Sequence, residues 1–151
     1  MSIQRSVSSS WQNTPHKTIL IVEDDDEIGD VLKAILAMEP GFRAFVARNA
    51  QDVFKVMRTI MPHLMLLDYQ LPDMNGVELF DRMRRIGEFA RIPVIIISAN
   101  LPYAELTKRQ LIGIEKPFDI DEVVQAVRWM LALPSEYLPP LPQSNVARRF
   151  S

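Results

Sequence analysis

His63-Leu64-Met65-Leu66-Leu67-Asp68-Tyr69-Gln70-Leu71-Pro72-Asp73-Met74-Asn75-Gly76 is the stretch that decides the fold. Its apolar run, Leu64 to Leu67, is short and unbroken, the pattern of a strand buried on both faces. The run ends abruptly in Asp68, and Pro72 and Gly76 then shape a turn. In an open parallel sheet such a strand points its carboxyl end into the crevice where ligands bind. Asp68 is therefore either a reactive carboxylate or an acid that opens a solvated turn. Its neighbours in the sheet decide between the two.

Upstream, Thr18 to Val22 forms a second β-branched, apolar strand, and it too ends in acids: Glu23, Asp24, Asp25, Asp26 and Glu27. A solvated helix start accounts for Asp25, Asp26 and Glu27, because carboxylates favour a helix N-terminus. It does not account for acid beginning at the strand terminus itself. Ile28, Val31, Leu32, Ile35 and Leu36 recur at helical spacing to about Met38, and Pro40-Gly41 stops that helix. Phe42 to Ala47 reads as a short strand near the sheet edge. Asn49 is an N-cap for a helix whose inner stripe is Val53, Val56, Met57 and Ile60. Pro62 ends it.

Downstream of Gly76, Val77, Leu79, Phe80 and Met83 face inward on a helix that turns Arg82, Arg84 and Arg85 outward. Ile92 to Ile97 is a fourth strand, ending at Ser98-Ala99-Asn100. A helix is expected from Pro102, where proline is tolerated in the first turn, to Gln110. Leu111 to Glu115 is the last strand and ends at Lys116-Pro117-Phe118. Asp119 caps the final helix with Glu122 as its capping-box partner, and Val123, Val124, Val127, Met130 and Leu131 supply the apolar stripe.

Five strands thus alternate with five helices. Alternation of this kind implies a parallel sheet covered on both faces and joined by right-handed crossovers. The expected architecture is an α/β doubly wound, flavodoxin-like three-layer sandwich with strand order 2-1-3-4-5. That order brings Glu23 and Asp24 beside Asp68, with Ser98 and Lys116 flanking. Two carboxylates ~4 Å apart repel by about 4 kcal/mol at an effective dielectric of about 20. Lys116 supplies one compensating charge, and a hard, oxygen-seeking cation such as Mg²⁺ suits the remainder. Acids, a hydroxyl and a lysine at one sheet edge fit phosphoryl transfer to a carboxylate, giving an aspartyl phosphate.

Over Lys17 to Leu133 the chain resembles the receiver domain of bacterial two-component response regulators. The resemblance rests on Val22-Glu23-Asp24, Asp68 with Pro72 and Gly76 behind it, Ser98-Ala99, and Lys116-Pro117-Phe118, in order and at strand ends. It implies that Asp68 is the phosphoacceptor and that Asp24 and Asp68 are direct Mg²⁺ ligands. Glu23 would act through water, and the backbone carbonyl of Gln70 would complete the protein's share. Ser98 resembles the switch hydroxyl and Lys116 the ion-pairing lysine. A histidine kinase or phosphotransfer protein is the implied phosphodonor, and slow self-dephosphorylation is implied with it. Taken singly, Ser98 reads more readily as a cap of the next helix, and His63 as a boundary residue rather than a ligand.

Two departures bear on how the site is heard elsewhere. The family usually carries an aromatic residue three positions before the lysine, and here that position is Gly113. The segment between Ser98 and Lys116 is also shorter than usual by about one helical turn. Tyr103 is the candidate substitute for that aromatic. These departures keep a rival open, a pseudo-receiver that binds partners and is never phosphorylated. A phosphatase with an aspartyl nucleophile would want a second acid two residues on, where Gln70 stands. A nucleotide-binding site would want a Gly-rich loop after a strand, and none exists.

Composition narrows the classes further. The 151 residues suit one domain with tails: an arm at 1–16, a receiver domain at 17–133 and a Pro-rich tail at 134–151. The absence of cysteine excludes disulfides and thiolate chemistry, and His16 and His63 are too few for a histidine metal site. A formal net charge of −2 gives no pull toward nucleic acid or membrane, and neither a signal peptide nor a spanning segment is read, so a cytoplasmic protein is expected. The residues after Leu133 are too few for an output domain. A stand-alone receiver acting through a downstream protein is expected, with the last strand and helix as the surface for any homodimer.

Overall fold

In the computed structural model, which describes residues 16–133, strand β1 (Lys17–Val22) lies between β2 (Phe42–Ala47) and β3 (Leu64–Asp68). β3 pairs in turn with β4 (Val94–Ser98), and β4 with β5 (Ile112–Glu115). All four pairings are parallel, and the order is β2-β1-β3-β4-β5, as expected. Every residue of β3 and β4 is buried, which is why their sequences are continuous apolar runs rather than alternating ones.

Among the described residues five α-helices cover the sheet: α1 (Asp26–Ala37), α2 (Ala50–Val56), α3 (Gly76–Arg84), α4 (Tyr103–Lys108) and α5 (Ile120–Ala132). The two-residue period of the strands sorts the core into two layers. Leu20, Val22, Met65, Leu67, Val94 and Ile96 pack with α2, α3 and α4 on one face. Ile19, Ile21, Leu64, Leu66, Ile95 and Ile97 pack with α1 and α5 on the other. Each fully buried aliphatic side chain of this kind stabilises the fold by roughly 1.5–3 kcal/mol.

Side-chain caps start four of the helices. Asp25 accepts from the Ile28 amide, Asn49 from Asp52, Asn75 from Glu78 and Asp119 from Asp121. At the other end of α1, Gly41 adopts a φ of 83° and its carbonyl receives the Lys17 amide at 2.7 Å. The chain therefore turns into β2 where Pro40-Gly41 predicts.

The departures are local. α4 stops at Lys108, not Gln110, because Gln110 takes a left-handed φ of 56° and the Leu111 amide turns back to the Leu106 carbonyl. Arg109 then grips both oxygens of Asp81 at 2.7 and 2.8 Å, tying short α4 to α3. Val31, predicted inward, is 48% exposed, and on α5 the buried position falls to Ala126 while Val124 and Leu131 are half-buried. Arg84 does not point simply outward. Its guanidinium lies 4.2 Å over the Phe80 ring and donates to the carbonyls of Ala90 and Ile92. Among the described residues no helix is long and apolar enough to cross a membrane. The expected tail at 134–151 and all of the expected arm but His16 lie outside the described residues.

Candidate functional site

β1 and β3 are neighbours, with Val22 opposite Leu67, so the residues that follow them meet at the carboxyl edge. The Glu23 amide donates to the Ala47 carbonyl at 2.9 Å, which extends the ladder and turns Glu23 inward, where it is 2% exposed. Asp68 is buried beside it and Asp24 is exposed. Carboxylate oxygens of Glu23, Asp24 and Asp68 all lie within 4.8 Å of one another.

Lys116 enters from the end of β5. Its amide donates to the Ser98 carbonyl at 3.0 Å, and a cis peptide joins it to Pro117. The ammonium stands 2.8 Å from Glu23 Oε1 and 3.4 Å from Asp68 Oδ2. The second oxygen of Asp68 is held from the other side, where the Gln70 amide donates to Oδ1 at 3.2 Å. Burial pushes the Glu23 carboxyl above its ordinary range, and adjacent Asp68 pushes the same way against the pull of Lys116. For Lys116, burial works downward, but the bond to Glu23 and the charge of Asp68 outweigh it and hold the ammonium charged.

Three carboxylates thus cluster, and the one ammonium pairs with two of them, Glu23 and Asp68. Oxygens on opposite sides of a Mg²⁺ with bonds of about 2.1 Å stand about 4.2 Å apart, so three carboxylate oxygens within 4.8 Å of one another make an all-oxygen cluster of a size to hold such an ion. Ser98 is buried at the same edge, and its Oγ accepts from the Asn100 amide at 3.1 Å. It does not cap α4, whose cap position is Pro102 and carries no side-chain cap bond.

The loop from Tyr69 to Asn75 is built by close approach. A Cβ on Gly76 would sit 2.9 Å from the Asp68 carbonyl oxygen and 3.1 Å from Tyr69 Cα, so only glycine lets the chain return against the strand end. The Gly76 amide donates to the Tyr69 carbonyl at 2.7 Å, and Gln70 and Asn75 form a bridge. Asp73 reaches out of the loop to accept from the Ala50 and Gln51 amides at 3.0 and 3.1 Å. Burial works to raise its carboxyl, but these bonds and two from its own loop together outweigh it and hold the group below the ordinary range.

The family model for the response regulator receiver domain matches residues 19–128. The chain belongs to the response regulator receiver family. It is 34% identical over 122 residues to sporulation initiation phosphotransferase F of Bacillus subtilis, covering 80% of this chain and 98% of that one. It is 33% identical over 119 residues to the phosphate regulon transcriptional regulatory protein PhoB of Pseudomonas aeruginosa, covering 76% of this chain. In that case it spans 52% of the relative's length. The Francisella response regulator 1452 receiver domain superposes with a TM-score of 0.69 at 24% identity, over 77% of this chain and 97% of that one. That last likeness speaks to the fold.

Against this receiver frame, Glu23, Asp24, Asp68, Ser98 and Lys116 converge, and Gln70 meets them through its backbone. His63 does not. It lies at the opposite sheet edge, where its Nδ1 accepts from the Thr18 amide at 2.9 Å. The position of the usual aromatic is filled: a Cβ on Gly113 would come within 2.7 Å of Leu101 Cδ2 and 3.1 Å of Leu106 Cδ1. Tyr103 does not occupy that space, and its hydroxyl donates to Glu115 at the surface. Sequence reasoning missed Asp73, Leu101 and the Asn75 cap. Asn75 was legible, since Glu78 follows three residues on and completes a capping box, with Asn75 Nδ2 donating to Glu78 at 2.8 Å.

Proposed function

We propose that this receiver accepts a phosphoryl group on Asp68 from a histidine kinase or phosphotransfer protein and signals through phosphorylation-dependent protein contacts. The observation that carries this reading is the convergence of Glu23, Asp24 and Asp68 within 4.8 Å under the ammonium of Lys116. An Asp68 oxygen attacks phosphorus and the P–N bond of the donor phosphohistidine breaks; its electron pair stays with the imidazole, which already carries a proton on its other nitrogen and leaves as the neutral ring. Asp24, Asp68 and the Gln70 carbonyl would hold Mg²⁺, with Glu23 acting through water. Bound there, the ion would neutralise phosphoryl oxygens during transfer. Lys116 pairs with a further phosphoryl oxygen, and the Ser98 hydroxyl, four residues before the α4 cap Pro102, turns toward the phosphate. Gln70 stands where an aspartyl-nucleophile phosphatase would place an acid as proton donor, which counts against turnover of external phosphate esters.

The deciding experiment incubates the full chain with Mg²⁺ and acetyl phosphate and follows a base-labile phosphate by intact mass. The wild type gains one phosphoryl group and Asp68→Asn gains none. Labelling that persists in Asp68→Asn assigns the wrong acceptor, and no labelling of the wild type leaves the pseudo-receiver reading in its place.

A further inference from the structure

Asp73 belongs to the loop after β3, yet its carboxylate ends on another helix. Oδ1 accepts from Ala50 N at 3.0 Å and Oδ2 from Gln51 N at 3.1 Å. These are the first two amides of α2, donors that a helix cannot satisfy from within. The next amide, Asp52 N, is taken by the local cap Asn49 at 2.8 Å. α2 is therefore capped twice, once by its own flanking residue and once across 23 residues of sequence. A local cap normally suffices to start a helix. The remote one does something further, because it fixes the loop itself.

That loop carries the groups that address Asp68. Its first turn places the Gln70 amide 3.2 Å from Asp68 Oδ1, and its last residues close through the Gln70–Asn75 bridge and the Gly76 amide on Tyr69. Between these ends, Leu71 and Met74 pack half-buried against the core, whereas Pro72 and Asp73 are exposed at the tip. Asp73 anchors this middle to a rigid element. Two charge-assisted bonds onto a helix N-terminus form a directional tether, stronger than neutral bonds would be.

We propose that Asp73 is a positioning residue for the phosphoacceptor site. By clamping the β3–α3 loop onto α2, it keeps the Gln70 amide on one oxygen of Asp68 and the Gln70 carbonyl in place for the cation. The inference rests on the phosphoacceptor reading above.

The test titrates Mg²⁺ into the 151-residue wild-type chain, Asp73→Ala, Asp73→Asn and Asn49→Ala. It reads both the melting temperature and the rate of phosphorylation by acetyl phosphate. In Asp73→Ala, half-saturating Mg²⁺ rises about tenfold by both readouts, the low end of what outer-shell partners of a metal ligand contribute. The rate at saturating Mg²⁺ stays within about twofold, because the reacting groups are intact. Asp73→Asn keeps one acceptor oxygen and falls between. Asn49→Ala removes the other cap of the same helix, so it lowers the melting temperature without moving the Mg²⁺ midpoint. Equal midpoints in wild type and Asp73→Ala overturn the proposal, and so does an equal shift in Asn49→Ala, which would trace the effect to α2 stability. A wild type that neither melts higher with Mg²⁺ nor takes phosphate overturns the underlying phosphoacceptor reading instead, and this inference with it.

Discussion

Lys116 donates to Glu23 at 2.8 Å, closer than the 3.4 Å that separates it from Asp68. The carboxylate it favours is the more buried of the two, at 2% exposure. A charge at that depth persists only while it is paired. Removing one partner of a buried pair costs about 3–5 kcal/mol, and the partial exposure of Lys116 places this case near the lower end, about 3 kcal/mol. Lys116→Ala should lose that much in urea denaturation. Lys116→Met combined with Glu23→Gln should recover most of it, since the stranded charge is gone. A Lys116→Ala protein within about 1 kcal/mol of wild type would show that Glu23 finds relief elsewhere.

His63 gives the fold a pH dependence far from the acid cluster. Burial first, and then the charge of Lys17, hold its imidazole below the ordinary range. The neutral ring also accepts the Thr18 amide through Nδ1, a bond that the protonated ring cannot make. The folded chain therefore binds fewer protons here than the unfolded chain. This contribution is fully present above the unfolded pKa of about 6.5 and is lost as pH falls from there through the lower folded value. Melting curves between pH 8 and pH 5 should show a smaller gap between wild type and His63→Asn as the medium is acidified. Asn offers Oδ1 to the same amide without titrating. A gap that is constant across this range would remove His63 from the pH response.

How much of this was legible in the sequence follows from where information sits in the chain. Glu23, Asp24, Asp68, Ser98 and Lys116 each end or follow an apolar run, and strand order alone then places them together. That reasoning needs only local periodicity and one topological rule. Asp73 was invisible because its partners, Ala50 and Gln51, are backbone amides that leave no trace in side-chain pattern. Arg109 on Asp81 is a pairing across 28 residues, which no helical or strand period encodes. Leu101 carries no mark of its own in the sequence, and the glycine at position 113 is the only trace of the space it fills.

Gly76 tests whether the turn behind Asp68 tolerates any side chain. The atoms an added Cβ would meet, the Asp68 carbonyl oxygen at 2.9 Å and Tyr69 Cα at 3.1 Å, are backbone. Neither can rotate aside, so the loop or the strand end must move. Gly76→Ala should cost about 2 kcal/mol in denaturant midpoint, within the range of overpacked sites, and should slow labelling of Asp68 by acetyl phosphate. The helix propensity of alanine works in the opposite direction by about 1 kcal/mol, because Gly76 opens α3. A variant as stable and as readily phosphorylated as wild type would mean that the turn is softer than its contacts imply.

Gly113 and Leu101 share one volume, and that sharing is measurable. Leu101 is 4% exposed and Leu106 0%, and both press on the face where a β5 side chain would rise. Gly113→Phe should therefore cost about 3 kcal/mol by overpacking, and Leu101→Ala about 2–4 kcal/mol by leaving a cavity. The two changes compensate in chemistry and in space, since the ring added at 113 lies where the leucine was removed. The double variant should be at least about 1 kcal/mol more stable than the sum of the singles allows, a coupling within reach of a double-mutant cycle. Strict additivity would show that the leucine and an aromatic at 113 do not compete. The absent aromatic would then need a cause other than the Leu101 side chain that covers Gly113.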